Sequence, residues 1–394
     1  MLKSEERMKG SSTELIHAGE ADHGVAVPLT TPIYETTTFV FETAQEVVDY
    51  NEGRSSKYLY SRYTNPTVVA VEKKLAALDR AEAALTFSSG QGATTTILMA
   101  HLEAGDEVVC SAAIYGGTLH LLQDVLGRFG IAPRFVSLEQ LATPDRLFSD
   151  RTRIVWFESP INPTLRCVDI ARVAAACRAR GVLSIIDNTF ASPINQQPLA
   201  LGVDLAMQSA TKYLNGHSDV TGGVVTGSAA LLAPIEKARR MVGTVMDPHP
   251  AYAFGRGLKT LPLRVARHNA NAQTVAEFLA QDRRVSQVYY PGLASHPDHA
   301  IARQQMSGFG GMVCFDLEGR YDRAEQLYNR LEVIKRAASL GGVESLISMP
   351  VLTSQWGHTD EQLREAGVTK GMLRLSVGLE DAADLIADLD RSLG

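Results

Sequence analysis

One stretch decides the fold of this 394-residue chain: RIVWFESPINPTLRCVDIARVAAACRARGVLSIIDNTF, residues 153–190. Two continuous apolar runs, RIVWFE (153–158) and VLSIIDN (182–188), are separated in it by the helical pattern DIARVAAACRARG. Continuous apolar strands that alternate with helices are typical of a parallel sheet covered by helices on both faces. The sequence therefore predicts an α/β fold with a mostly parallel central sheet.

The same alternation continues on both sides of this stretch. The further strand candidates are ALTFSS (84–89), EVVCS (107–111), RFVSL (134–138), DLAMQS (204–209) and GGVVTG (222–227). We therefore assign residues 61–255 to one large domain.

The pattern changes after GRGLKTLPLR (255–264). A long helix candidate, two strands, a helix, another strand and a terminal helix follow, so residues 256–394 are predicted to form a smaller α+β domain. Residues 1–60 are rich in Thr, Tyr and Pro and do not fit into a sheet. We predict that this N-terminal segment contacts a neighbouring subunit.

Composition argues against several classes of protein. The net charge is -6 and no basic run stands out, so a nucleic-acid partner is not expected. The longest apolar stretches are too short for a membrane span, and the polar N-terminus lacks the apolar core of a signal peptide. The cysteines are far apart and show no metal-ligand spacing, which predicts reduced thiols, no metal and a cytoplasmic protein. They are Cys110, Cys167, Cys177 and Cys314.

Polar clusters follow several of the predicted strands, where ligands bind in parallel α/β sheets. In SSGQGA (88–93), Gly90 and Gln91 open a helix and can offer backbone N–H groups to a phosphate. Ser209 and Thr211 in QSATK can donate hydroxyl hydrogen bonds to the same anion. A glycine turn before a helix is common, so this signal is weak by itself.

Three further residues are candidates for binding the rest of the same ligand. Tyr115 follows EVVCS and can stack on a planar ring, although a packed tyrosine is an equal alternative. Asp187 ends an apolar strand, and a cationic ring nitrogen or a loop hydrogen bond could pair with it. Lys212 becomes a nucleophile if burial lowers its pKa. An anion site, a ring, a ring cation and an amine together predict pyridoxal 5'-phosphate, bound to Lys212 as a Schiff base.

The chain resembles the Cys/Met-metabolism group of fold-type I pyridoxal-phosphate enzymes. This group contains cystathionine γ-synthase, cystathionine γ-lyase, methionine γ-lyase and the homoserine-ester sulfhydrylases. The resemblance runs from about Thr30 to the C-terminus. It is carried by YSRYTNPT (60–67), SSGQGA (88–93), YGGT (115–118), ESPINPT (158–164), DNTFASP (187–193), SATKYLNGHSD (209–219), YPGLASHPDH (290–299), SLGGVESL (339–346) and RLSVGLED (374–381).

The resemblance implies a role for each cofactor residue. Lys212 carries the cofactor and then removes the α-proton, Asp187 pairs with the pyridinium, and Tyr115 stacks on the ring and acts as an acid on the leaving group. Tyr60 and Arg62 reach the phosphate of the neighbouring subunit, with Tyr60 also counted among the catalytic residues. The catalytic unit is then a dimer, doubled to a homotetramer.

The resemblance also implies a substrate site. Arg374 clamps the α-carboxylate of an amino-acid substrate, with Asn162 and Ser339 assisting. The reaction passes through a vinylglycine-type intermediate. That intermediate either takes a nucleophile or is hydrolysed to a 2-oxo acid and ammonia.

Several positions depart from familiar relatives. Ala338 stands where cystathionine-handling members have glutamate, His120 where they have arginine, and Gly117 where methionine γ-lyases have cysteine. Met349 replaces a histidine, and Trp356 is expected to reshape the entrance. The motifs therefore favour γ-replacement on an O-acylhomoserine with a thiol or sulfide, in sulfur amino-acid metabolism. A γ-lyase for methionine or cystathionine is the alternative.

Two other classes fit the motifs less well. A nicotinamide-binding protein would need a glycine fingerprint followed by an acid for the ribose, and none is present. An aminotransferase shares the lysine chemistry, but the segments YSRYTNPT and SLGGVESL argue against it.

Overall fold

The computed structural model describes residues 10–20 and 28–394 and contains two β-sheets. The larger sheet has seven strands in the order β1-β7-β6-β5-β4-β2-β3. They are β1 (Ala83–Phe87), β2 (Glu107–Ser111), β3 (Ala132–Val136), β4 (Thr152–Glu158), β5 (Leu183–Asp187), β6 (Leu205–Ser209) and β7 (Gly223–Gly227). Only β7 runs antiparallel to its neighbours, so the predicted α/β fold with a mostly parallel sheet is confirmed.

Burial on both faces explains the continuous apolar strands. In β4, Ile154 and Trp156 pack into a core on one face of the sheet, whereas Val155 and Phe157 pack into a core on the other. All four side chains are fully buried. Since successive side chains of a strand point to opposite faces, a strand covered on both sides must be apolar at every position.

The second sheet has five shorter strands in the order β10-β11-β12-β9-β8. They are β8 (Gln287–Tyr289), β9 (Met312–Asp316), β10 (Lys335–Arg336), β11 (Leu346–Ser348) and β12 (Met372–Ser376). Every strand of the larger sheet falls within 61–255 and every strand of this one within 256–394. The domain boundaries themselves stay a prediction.

Fifteen helices connect and cover the sheets in the described residues. They are α1 (Ser11–His17), α2 (Ala44–Asn51), α3 (Pro66–Asp79), α4 (Gly90–His101), α5 (Gly116–His120), α6 (Leu138–Leu141), α7 (Ile170–Arg180), α8 (Ser192–Asn195), α9 (Ala229–Val242), α10 (Pro248–Leu258), α11 (Leu261–Gln281), α12 (His299–Gln305), α13 (Tyr321–Arg330), α14 (Asp360–Glu365) and α15 (Ala382–Leu393).

Helix α7 shows how the sequence sets helix ends. The Asp169 side chain accepts a hydrogen bond from the Arg172 backbone N–H at 3.1 Å, and Gly181 ends the helix with a left-handed φ of +64°. A side-chain acceptor at the start and a glycine at the end satisfy backbone groups that the helix leaves unpaired. The helix therefore ends in time for β5 to begin at Leu183.

The described part of the N-terminal segment belongs to neither sheet. Between residues 28 and 60 it contains helix α2 and a single β-bridge between Thr38 and Tyr60. This agrees with the sequence, which offers no strand pattern there. The predicted contact of this segment with a neighbouring subunit stays a prediction.

We predict that Asp79 makes the stability of the fold depend on pH. Its carboxylate accepts hydrogen bonds from Thr226 Oγ1 at 2.7 Å and Gln208 Nε2 at 3.4 Å, but Oδ1 has no partner. Burial raises the pKa of Asp79 from 3.8 to about 7. Because the folded state holds this proton more tightly than the unfolded chain, stability falls as the pH rises through this interval.

The Asp79→Asn variant removes the charge and keeps an acceptor. We expect its melting temperature to exceed that of the parent by more at about pH 9 than at about pH 5. Thermal unfolding followed by circular dichroism measures both values. Equal differences at the two pH values would show that the carboxylate is not the cause.

Candidate active site

A cleft of about 540 Å³ opens at the carboxyl ends of the central strands. It brings together ten predicted site residues from segments far apart in the sequence. They are Gly90, Gln91, Tyr115, Asn162, Asp187, Ser209, Thr211, Lys212, Ser339 and Arg374. Two others, Tyr60 and Arg62, do not line it. The roles of all twelve residues stay predictions, and their placement is described below.

One end of the cleft is built to hold an anion. Gly90 and Gln91 form the first turn of α4, where backbone N–H groups lack intrahelical partners. A Cβ on Gly90 would lie 3.2 Å from Ser209 Oγ, so the helix start packs tightly against the end of β6. The Thr211 hydroxyl accepts from the Gly222 N–H at 3.0 Å. Two free amides and nearby hydroxyls suit a phosphate.

Asp187 provides a negative group deeper in the cleft. The Thr189 hydroxyl and backbone N–H both donate to its Oδ1, at 2.5 and 3.0 Å. Burial raises the pKa of Asp187, and the two hydrogen bonds from Thr189 oppose that rise. A ring cation beside this carboxylate would compensate its lost hydration. Thr189 was not singled out from the sequence.

Lys212 follows β6 and lies in the cleft as expected. Its Nζ donates a hydrogen bond to Ser339 Oγ at 3.0 Å. Burial lowers the pKa of Lys212, and the positive charge of Arg374 lowers it further. An amine whose charged form is disfavoured is a better nucleophile and base, because more of it is unprotonated near neutral pH.

Arg374 lies opposite Lys212 on β12 of the second sheet. Its Nη1 donates to Asn162 Oδ1 at 2.9 Å, and no carboxylate of the described residues pairs with it. Burial lowers the pKa of the guanidinium. A buried guanidinium without an anionic partner is a binding site for a carboxylate.

Tyr115 stands at the start of helix α5 with its side chain 49% exposed. Its backbone N–H donates to Glu158 Oε1 at 2.7 Å, and Gln91 Nε2 donates to the Gly117 carbonyl at 2.8 Å. Glu158 ends β4, is buried, and lines the cleft. The sequence showed it only as part of the ESPINPT motif, so its place in the site was missed.

Tyr60 and Arg62 lie away from the cleft of their own chain. Arg62 Nη1 donates to the Arg240 carbonyl at 2.5 Å, and the guanidinium lies 5.6 Å from the centroid of the Tyr60 ring and 5.0 Å from that of Tyr63. This position agrees with a role in another subunit, which stays a prediction.

The unusual positions of the sequence fall into three groups. Ala338 lines the cleft, so the missing carboxylate there affects the site directly. Met349 is buried in the core of the second sheet. His120 is exposed and lies 3.0 Å from Asp124, and Trp356 is 74% exposed outside the cleft lining. The expected effect of Trp356 on the entrance stays a prediction, whereas Ser354, two residues before it, lines the cleft.

Three further observations concern metal sites, cysteine pairing and membrane-spanning helices. Among residues 10–20 and 28–394, no group of three His, Cys, Asp or Glu side chains is arranged to hold a metal ion. All four cysteines are buried and unpaired. Within the described chain, no helix is both long and apolar enough to cross a membrane.

Comparison with known proteins agrees with this geometry. The profile of the Cys/Met metabolism PLP-dependent enzyme family matches residues 12–394. L-methionine γ-lyase from Pseudomonas putida is 42% identical over 98% of each chain. Cystathionine γ-synthase 1 from Arabidopsis thaliana, a chloroplastic protein, is 39% identical over 96% of this chain and 68% of its own.

A solved structure extends the similarity to the fold. Cystathionine γ-lyase from Lactobacillus plantarum, complexed with L-serine, is 38% identical, covers 98% of each chain and superposes with a TM-score of 0.91. The cleft fits pyridoxal 5'-phosphate: Gly90 and Gln91 suit the phosphate, Asp187 the ring nitrogen and Lys212 the aldehyde. Pyridoxal 5'-phosphate is the cofactor of this chain.

We predict that Gly117 sets the position of the Tyr115 ring. A Cβ on Gly117 would lie 2.5 Å from Tyr115 Cε1, so Gly117→Ala must displace the ring. A Cβ on Gly116 meets only the Ser354 carbonyl, at 3.8 Å, which makes Gly116→Ala a matched control.

Titrating the apoprotein with pyridoxal 5'-phosphate measures the effect. Gly117→Ala should weaken binding about threefold to tenfold, the range expected for a disturbed aromatic stack. Gly116→Ala should change it by less than about twofold. Equal behaviour of the two variants would mean that the ring contributes nothing to cofactor binding.

Proposed function

The chain belongs to the Cys/Met metabolism PLP-dependent enzymes, and we propose that it is a γ-lyase for L-methionine or a similar amino acid with an uncharged γ-substituent. L-Methionine and water would give 2-oxobutanoate, ammonia and methanethiol. The motifs alone favour γ-replacement on an O-acylhomoserine. That prediction is unconfirmed, and relatives named L-methionine γ-lyase support the alternative better.

The charges in the cleft carry this proposal. Among the described residues, two acidic and two basic side chains line it. They are Glu158, Asp187, Lys212 and Arg374. Asp187 and Lys212 face the cofactor, and Arg374 suits the α-carboxylate. Glu158 is buried, and both its burial and the nearby Asp187 raise its pKa well above the ordinary value, which disfavours its charged form.

Among the described residues of one chain, no lining charge is then left for the end of the substrate side chain. The succinyl carboxylate of O-succinylhomoserine would need a cation, and the distal ammonium of cystathionine would need an anion. Bringing either group into the cleft without a partner is costly. The thioether of methionine needs neither, because it is uncharged.

The chain's own side chains bind the substrate and move its protons. Arg374 holds the α-carboxylate, with Asn162 Oδ1 fixing the guanidinium from the other side. Lys212 Nζ is the base that removes the proton from the substrate Cα, and its lowered pKa favours this role. When bound, pyridoxal 5'-phosphate stabilises the negative charge that develops there.

Tyr115 is placed to assist departure of the thiol. It lines the cleft on the side of helix α5, and its phenol can donate a proton to the γ-sulfur as the carbon–sulfur bond breaks. An acid is useful here because a thiol leaves more easily than a thiolate. In the same proposal, Tyr60 and Arg62 serve the cleft of a second subunit in a homotetramer built from catalytic dimers, and the enzyme acts in the cytoplasm.

A second reaction fits the same uncharged cleft. O-Acetylhomoserine also carries a neutral γ-substituent, and a thiol could replace its acetate. The similarity to a protein named cystathionine γ-synthase favours keeping this γ-replacement as the second candidate.

A product assay on the holoenzyme separates the candidates. L-Methionine, O-acetyl-L-homoserine, O-succinyl-L-homoserine and L-cystathionine are each supplied with and without methanethiol, and both substrate consumption and 2-oxobutanoate formation are measured. We expect 2-oxobutanoate from methionine without added thiol. The kcat/KM for the succinyl ester and for cystathionine should be at least about tenfold lower, because each brings an unpaired charge.

Ala338→Glu is the control variant, because it adds one carboxylate to the lining. It should raise the use of cystathionine relative to methionine. Consumption of O-acetylhomoserine only when thiol is present, with methionine untouched, would replace the γ-lyase proposal by γ-replacement. Preference of the parent enzyme for cystathionine would refute the uncharged cleft.

A further inference from the structure

Glu158 is a buried acid in the cleft to which the proposed reaction gives no task. It is the last residue of β4 and lies beside Asp187, the last residue of β5, in the parallel register of the two strands. Its side chain is buried and lines the cleft. A carboxyl group at such a position is costly unless it has a specific partner.

The partner of Glu158 is the backbone of Tyr115. Oε1 accepts from the Tyr115 N–H at 2.7 Å, a short bond that joins residues 43 positions apart. Tyr115 is the N-cap residue that precedes helix α5, and its side chain makes no capping hydrogen bond. Because Tyr115 is half exposed, this backbone bond is a constraint on where the ring lies.

The two adjacent acids differ in the number of hydrogen bonds that they accept. Asp187 receives two hydrogen bonds from Thr189, one from the hydroxyl and one from the backbone. Glu158 receives one, from Tyr115. Two neighbouring buried carboxyls cannot both be charged without a large penalty, so the charge remains on the acid with more donors and the proton remains on the other.

We propose that Glu158 is a positioning residue that holds Tyr115 over the cofactor through its backbone N–H, as an uncharged acid beside a charged Asp187. This goes beyond the proposed function and holds equally for γ-elimination and γ-replacement, because it concerns only the cofactor site. Glu158 does not touch the reacting atoms in this account. It acts through Tyr115.

The two halves of the proposal are tested by separate variants. Glu158→Gln keeps an oxygen acceptor and carries no charge, so the affinity of the apoprotein for pyridoxal 5'-phosphate should stay within about twofold. Glu158→Ala removes the acceptor and should weaken that affinity about tenfold, with a changed visible spectrum of the bound cofactor. Glu158→Asp shortens the side chain and should give an intermediate loss, and it serves if the alanine variant does not fold.

A double-mutant cycle tests whether the effect passes through Tyr115. In a Tyr115→Ala background, Glu158→Ala should cause little further loss of cofactor affinity, because the ring it positions is absent. Glu107→Gln is the matched control: this glutamate is also buried, at the opposite end of the same sheet, and is held by Thr152 Oγ1 at 2.6 Å. It should lower the melting temperature without changing cofactor affinity.

Three outcomes would overturn the proposal. Glu158→Gln as damaging as Glu158→Ala would mean that the residue acts as a charge or as a proton donor. Additive losses in the cycle would mean that Glu158 does not act through Tyr115. Unchanged cofactor affinity and spectrum in the folded Glu158→Asp and Glu158→Ala proteins would mean that it positions nothing.

Discussion

The guanidinium of Arg374 is buried in the cleft without a carboxylate partner among the described residues, and the site depends on that imbalance. Arg374 is on β12 of the second sheet, whereas Lys212 follows β6 of the larger one. The two cations face one cleft only because the sheets pack together. Gly341 shows how closely they meet: its φ is +74°, and a Cβ there would lie 2.6 Å from the Tyr213 backbone nitrogen.

The substrate and the cofactor would supply the opposite charges that Arg374 and Asp187 lack within the described residues. The positive charge of Arg374 lowers the pKa of Lys212, and an α-carboxylate bound to Arg374 would offset that charge. The ring nitrogen of the cofactor would in turn supply a cation beside Asp187. A site with unbalanced buried charges is costly to the empty protein and favours the bound state, so binding and chemistry draw on the same electrostatic arrangement.

Much of this arrangement could be predicted from the chain, because it follows the strand ends. Apolar runs fix where β4, β5 and β6 end, and Asp187 and Lys212 come at or just after those ends. Glu158 ends a strand in the same way, but the sequence does not show which backbone N–H its carboxyl group will bind. That contact joins β4 to helix α5 and exists only in three dimensions.

Other features could not be predicted from the sequence, for different physical reasons. Strands β10 and β11 have two and three residues, too short for any periodic pattern to show. Trp356 is expected from the sequence to reshape the entrance, but the sequence cannot show where a loop side chain points; in the structure it is exposed and does not line the cleft. Gly117 differs from the cysteine of methionine γ-lyases and so suggested a difference in substrate. In the structure, a Cβ at this position would collide with the Tyr115 ring.

We propose that Lys212 is the amine that joins the cofactor, because its environment combines burial, a neighbouring cation and an adjacent anion site. Reduction of the holoenzyme with borohydride, followed by proteolysis and mass spectrometry, fixes the cofactor to whichever lysine holds it. We expect a single pyridoxyl group, on the peptide that contains Lys212. A label on another lysine, or one spread over several exposed lysines such as Lys57 and Lys370, would contradict it.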